Sequence, residues 1–371
     1  MKRKNSFTKW AFNLHGWLGL MAGLFFLFYG ITGSMLMFRG ELDRYFNPEL
    51  HHLTPHGKVL GADVIYRDLV RSHPNLKKIV LHDFPVNAFD SYEFMLFRNQ
   101  QQITENYLYY ISVNPYSGKI LKEGSYADLQ PSFFRWLYAL HYSLQLGMPG
   151  KLFSAVIGLV MLLSLITGII IYRKHFWDAL RFKAGLNFKN SRTAISSLHR
   201  IIGVWAMLFT ALLFFSGFWL NREHFSPETW KINPSVDNIL VKVNIDSLVA
   251  ASRKLVKGFE PIAVNIPTTP GIPVLVRGHM PSSGSLLYRG KASGFTFDQN
   301  TGRLMKTNII EKQPFAARFD VWMYQLHIGA FGGVVLKLFY VLLGLLPGFL
   351  SITGALLWFK RRKKFKKQYD F

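Results

Sequence analysis

The 371-residue chain contains no cysteine. That excludes disulfides, iron–sulfur clusters and thiolate chemistry. Acidic residues are scarce: 21 Asp and Glu stand against 44 Lys and Arg, for a net charge of +23. No GxGxxG lies between a strand-like and a helix-like segment, and there is no phosphate loop, so a built-in nicotinamide or flavin domain is not expected. Apolar and aromatic residues are abundant instead, at 50% and 16% of the chain. The positive charge is not distributed as a nucleic-acid footprint. It falls in three blocks beside apolar runs: Lys2, Arg3, Lys4 and Lys9; then Arg173, Lys174, Arg181, Lys183, Lys189 and Arg192; then KRRKKFKK from Lys360. These hold 17 of the 44 basic residues with two acids, Asp178 and Asp370. Such asymmetry marks the cytoplasmic side of a membrane protein.

A membrane span needs about 20 apolar residues. Four segments qualify: 14–38, 151–172, 199–220 and 334–359. The basic blocks place both termini and the 173–198 loop in the cytoplasm, with 39–130 and 221–318 on the other side. Basic residues followed by an apolar run suggest a signal peptide at first. The run from Trp17 to Phe38 is long enough to span, however, and no small-residue cleavage site follows, so it reads as an uncleaved anchor. The expected order is 1–38, N-terminus and first span; 39–130, first soluble domain; 131–172, interfacial helix and second span. Then follow 173–198, basic loop; 199–220, third span; 221–318, second soluble domain; 319–359, interfacial helix and fourth span; and 360–371, basic tail.

The two soluble segments resemble each other. The first predicts a helix near 62–73 and strands in KKIVLHDF, YEFMLF and YLYYISV. The second predicts a helix near 246–257 and strands in PIAVNI, PVLVRG and GFTF. Each closes on a similar turn, VNPYSGKIL and FDQNTGRLM, with Gly118 and Gly302 separated by 184 residues. Glycine suits the positive φ of such a hairpin. The expected fold is therefore four transmembrane helices as a parallel 2+2 internal repeat with two α+β domains. Equivalent residues would then lie at equal depth.

Four histidines follow the same repeat. His15 in LHGWLGL returns as His199 in LHRIIGV, and His141 in WLYALH returns as His327 in WMYQLH, 184 and 186 residues later. Histidine beside a bilayer is costly unless partnered or functional. Two equivalent imidazoles facing each other can hold one haem iron, and filling both axial positions leaves an electron carrier with no dioxygen site. Two bis-His b-type haems are expected, one near each face. His15 and Thr32 are 17 residues apart, about 26 Å along a helix, so two centres are needed for a relay.

All four spans carry a small pair near their far end: Thr32-Gly33, Thr167-Gly168, Ser216-Gly217 and Thr353-Gly354. These glycines either clear space for a porphyrin or permit close helix packing. GMPG at 147–150 is expected to break the helix after His141. Lys151 and Lys337 repeat 186 residues apart and are candidates for haem propionates or for snorkelling to lipid headgroups. His175 is an alternative inner ligand without a twin, since Arg361 stands in its place, and His224 is a candidate for the outer haem edge. His51, His52 and His56 read as a solvated cluster.

LHGWLGLMAGLFFLFYGITGSML, the WLYALH…ITG unit and the NPYSGKIL turn resemble the bacterial PepSY-associated transmembrane family, over nearly the whole chain. The resemblance implies two periplasmic PepSY-like domains and two b-type haems in the bacterial inner membrane. It also implies electron transfer from a quinol or cytoplasmic flavoprotein to a periplasmic ferric siderophore or other ferric chelate. The competing expectation is a non-enzymatic sensor of a periplasmic partner. A transporter is disfavoured because the spans contain no acidic residue.

Overall fold

The computed structural model describes residues 6–85, 87–130, 132–232, 237–281 and 284–366. Lys2, Arg3 and Lys4, and the tail after Lys366, lie outside the described residues. The chain begins with α1 (Ser6–Leu36), α2 (Arg39–Phe46) and α3 (Ala62–Ser72). Strands β1 (Leu76–Asp83), β2 (Tyr92–Arg98), β3 (Leu108–Val113) and β4 (Ile120–Ser125) follow. Then come α4 (Phe133–Ser143), α5 (Gly147–Tyr172), α6 (Phe176–Leu180), α7 (Ser191–Asn221) and α8 (Ile245–Leu255). The second half adds β5 (Glu260–Pro267), β6 (Val274–His279), β7 (Ser293–Phe297) and β8 (Leu304–Asn308), then α9 (Phe315–Ile328) and α10 (Val334–Lys366). Two compact units result: a helical one of 1–37, 152–223 and 326–371, and a sheet unit of 38–151 and 224–325.

In the helical unit α1, α5, α7 and α10 are long and apolar enough to cross a membrane. α1 and α7 begin before the expected apolar runs, at the polar residues Ser6 and Ser191. Asn190 caps α7 by accepting from the backbone N–H groups of Arg192 and Thr193, and the Thr193 side chain reaches back to the cap, a reciprocal capping box. Close packing uses small residues. A Cβ on Gly30 would stand 2.7 Å from the Gly344 carbonyl oxygen, and Ser34 Oγ donates to the Val341 carbonyl at 3.2 Å. Ala22, Phe26, Ile157 and Met161 form a small buried cluster.

The two segments expected as soluble domains meet in the sheet unit. Segments 39–130 and 221–318 each supply four strands to one sheet, in the order β4-β3-β2-β1-β5-β6-β7-β8. β1 and β5 join antiparallel, with Val80 opposite Asn265. The physical reason lies at the edges. A four-stranded half would leave β1 or β5 with unpaired backbone groups, a liability that pairing removes. One face packs α3 and α8 over a common core that includes Ile65, Leu81, Phe94, Leu248, Val264 and Phe295.

The two helices also complete each other's ends. Asp246 accepts from the backbone N–H groups of Ala62 and Asp63, while Asp63 accepts from that of Ile245. Each carboxylate thus caps the other helix's N-terminus. Gly118 and Gly302 both adopt φ +71°, as the turn motifs require.

On the other sheet face α4 packs through Ala139 against Leu108, Tyr110 and Tyr126. Arg135, 5% exposed, bridges Asp43 at 2.8 Å and Glu93 at 2.7 Å. The expected break after His141 is present. Leu144 and Gln145 have positive φ, as does Gly147, which separates α4 from α5.

Candidate functional site

Within the helical unit, α1, α5, α7 and α10 enclose a cavity of about 430 Å³, inside the usual range of about 300–1,000 Å³ for ligand and cofactor pockets. His15 and His199 both line it. Their ring centroids lie 6.2 Å apart, with the planes at 78°. Metal–imidazole nitrogen bonds are about 2 Å long, so two rings on opposite sides of one ion have centres about 6 Å apart.

The tautomers follow from the hydrogen bonds. His15 Nδ1 lies 2.9 Å from the Ser164 carbonyl oxygen. A carbonyl only accepts, so Nδ1 carries the proton. Thr167 Oγ also lies 3.2 Å from this nitrogen. His199 Nδ1 lies 2.8 Å from Thr353 Oγ. That hydroxyl donates its only proton to the Phe349 and Leu350 carbonyls, both at 3.0 Å, so it accepts from His199 Nδ1–H. Neither ring's Nε2 has a hydrogen-bond partner among the described residues. Both imidazoles therefore present the basic Nε2 lone pair that metal ligation needs, oriented by the bond at the other nitrogen.

His327 is held likewise. Its Nδ1 lies 3.0 Å from Ser216 Oγ, whose proton goes to the Leu212 carbonyl at 2.7 Å. Thr32 Oγ also donates to the carbonyl four residues back, that of Phe28, at 2.8 Å. In the sequence this hydroxyl always precedes the glycine of the small pairs. The pattern was visible, but its use as a tautomer anchor was not.

Of those pairs, Gly168, Gly354 and Gly217 stand against imidazole rings, and Gly168 and Gly354 also line the cavity. A Cβ on Gly168, Gly354 or Gly217 would stand 3.3, 3.4 or 3.3 Å from Cε1 of His15, His199 or His327. They make room for the imidazole rings. Gly16, Gly19 and Gly203 line the cavity as well. A Cβ on Gly19 would meet nothing within 4 Å, and one on Gly203 would meet only Leu350, at 3.8 Å. Gly19 and Gly203 follow their histidines by four residues, one helical turn on the same face. The site fits a flat ring system held by two imidazoles: neutral nitrogen donors, glycine clearance and no acidic side chain in the lining.

The other sequence candidates divide between the units. His141 is partly buried on α4 in the sheet unit, while His327 belongs to the helical unit. His175 does not line the cavity; its side chain is 67% exposed and lies 3.8 Å from Asp178. His224 is buried in the sheet unit, and its carbonyl accepts from Trp230 Nε1. His51 pairs with Asp90 at 3.0 Å, and no cluster of three or more His, Cys, Asp or Glu suited to a metal occurs among the described residues. Lys151 donates to Tyr107 Oη at 3.1 Å and lies over the Tyr107 ring. Lys337 sits in the first turn of α10. Gly33 stands in α1 beside Thr32.

These features define a multi-pass membrane protein with an antiparallel sheet unit and a paired-histidine cavity among its long helices. The chain belongs to the family described as the PepSY-associated TM region, whose model matches residues 12–361. It is also 30% identical over 81 residues to an uncharacterized protein of Pseudomonas aeruginosa, PA4219, a match covering 22% of this chain and 20% of that one.

Proposed function

We propose that the protein is a transmembrane electron-transfer oxidoreductase that reduces a ferric chelate, such as a ferric siderophore, to release ferrous iron. The observation that carries this reading is the His15–His199 pair: centroids 6.2 Å apart and both bordering one cavity, with each Nδ1–H committed and each Nε2 available. A b-type haem held there by His15 and His199 would supply one-electron transfer. His15 and His199 bind and orient it, Ser164, Thr167 and Thr353 hold their tautomers, and the apolar wall excludes water.

The spacing in the sequence assigns His141 and His327 to a second haem, and the Ser216 bond at His327 fits that role. The two halves form an internal repeat about an axis along the membrane normal. The protein lies in a bacterial inner membrane with both termini cytoplasmic. The sheet unit is periplasmic and forms the acceptor side, with electrons arriving from quinol or a cytoplasmic flavoprotein. Ferrous iron is held less tightly than ferric by hard oxygen donors, which frees it from the chelate.

A reduced-minus-oxidised absorption spectrum of purified protein tests this. A low-spin b-type signal is expected, with His15→Ala and His199→Ala each removing the same part of it. A haem-replete preparation without that signal overturns the reading.

A further inference from the structure

The lining of the His15–His199 cavity includes Arg192, Arg200 and Arg361 but no carboxylate. The spacing on α7 explains two of them. Arg192, Ser196, His199 and Gly203 follow one another at intervals of four, three and four residues, so one helix face bears them all. Arg192 therefore stands about 10 Å along the axis from the histidine. Arg200 adjoins His199, donates through Nε to the Ser196 carbonyl at 3.0 Å and lies 5.6 Å from the Tyr172 ring centre. Arg361 lies 4.8 Å from the ring centre of Phe12.

The Tyr172 contact favours the Arg200 cation and leaves the edge of its guanidinium fork for a ligand. Neither Arg192 nor Arg200 forms an ion pair among the described residues. The helices α1, α5, α7 and α10 contain no acidic residue to offset Arg192 and Arg200. A ligand that brings carboxylates would offset them, and guanidinium matches a carboxylate with two parallel hydrogen bonds.

Resting on the reading of this cavity as a haem site, we propose that Arg192, Arg200 and Arg361 form the subsite for the two propionate carboxylates of the porphyrin. Lys151 and Lys337 do not serve this centre; neither lines the cavity. The arginines are positioning residues. They fix which edge of the ring system meets the polar rim and supply the cations that its carboxylates need. Lipid phosphate is the other source of anionic chemistry that a basic membrane-border cluster attracts.

The test uses full-length protein purified with its native cofactor in neutral detergent, reading haem transfer to excess apomyoglobin. R192Q/R200Q/R361Q is expected to release the His15–His199 haem about tenfold faster than the wild type. Wild type reconstituted with haem dimethyl ester, which has no free carboxylate, is expected to match that faster release. The variant is expected to hold haem and its ester alike. The ester arm needs no variant, and R200Q alone serves if the triple change prevents folding.

Equal release of haem from variant and wild type overturns the proposal, as does wild type holding the ester as firmly as haem. So does a difference between variant and wild type that appears only when anionic lipid is added, which assigns the arginines to headgroups. A wild type that carries no haem at all fails the reading of the cavity instead.

Discussion

At the residue scale the site rests on hydroxyls that have spent their proton. Thr353 donates to its own helix and so can only accept from His199; Ser216 treats His327 the same way. A buried imidazole fixed in this manner keeps its Nε2 lone pair directed at one place, and such supporting bonds are worth about 10–100-fold in metal affinity. Thr353→Val is therefore expected to weaken haem retention about 10–100-fold while the protein stays folded. Thr353→Ser is expected to restore it. Haem titration of both variants checks this, and equal affinity for Val and Ser contradicts it.

The histidines, the small pairs and their spacing were all legible in the sequence. What each glycine faces was not. Gly168 and Gly19 look alike in a string of letters. Only the crossing of the helices sets one against an imidazole and leaves the other open to the cavity. In the sequence Arg192 and Arg361 belong to the cytoplasmic basic blocks, because a hydropathy boundary does not reveal that α7 starts at Ser191 and carries Arg192 on the His199 face.

At the scale of elements, α4 depends on one buried ion-pair network. Arg135 lies over the Tyr110 ring at 4.2 Å and bridges Asp43 and Glu93. Burial pushes the Glu93 carboxyl up, but the Arg135 guanidinium, together with His82 and Arg39, holds it below the usual carboxylate range. A carboxyl with a lowered folded pKa contributes stability above its unfolded value, about 4.3 for Glu, and loses it as pH falls through the folded value. Arg135→Met strands both carboxylates and is expected to cost about 3 kcal/mol at neutral pH. The stability difference between wild type and variant should shrink as pH falls below about 4.3. Thermal unfolding of the two proteins across pH checks this; a difference that is flat with pH contradicts it.

The helix and strand segments themselves were legible. Alternating burial on β2 and β6 matches the alternating sequence; the break after His141 falls earlier than GMPG, at the left-handed Leu144 that caps α4, and GMPG opens α5.

At the scale of the whole molecule, hydropathy gave the four long helices and their order, because a span is a local property of about 20 residues. The single eight-stranded sheet escaped the sequence. An alternating strand declares which face is buried and says nothing of which neighbour it pairs with. The β1–β5 junction joins segments nearly 190 residues apart, and the reciprocal caps of Asp63 and Asp246 span a similar separation.

The central claim, that His15 and His199 share one iron, is tested most directly by near-infrared magnetic circular dichroism of the oxidised protein. The band energy of a low-spin ferric haem reports its two axial ligands. A bis-imidazole band is predicted, with His327→Ala leaving the part that belongs to His15 and His199 and His199→Ala removing that part. A haem-loaded protein that lacks a bis-imidazole band, or keeps it undiminished in His199→Ala, would contradict the account.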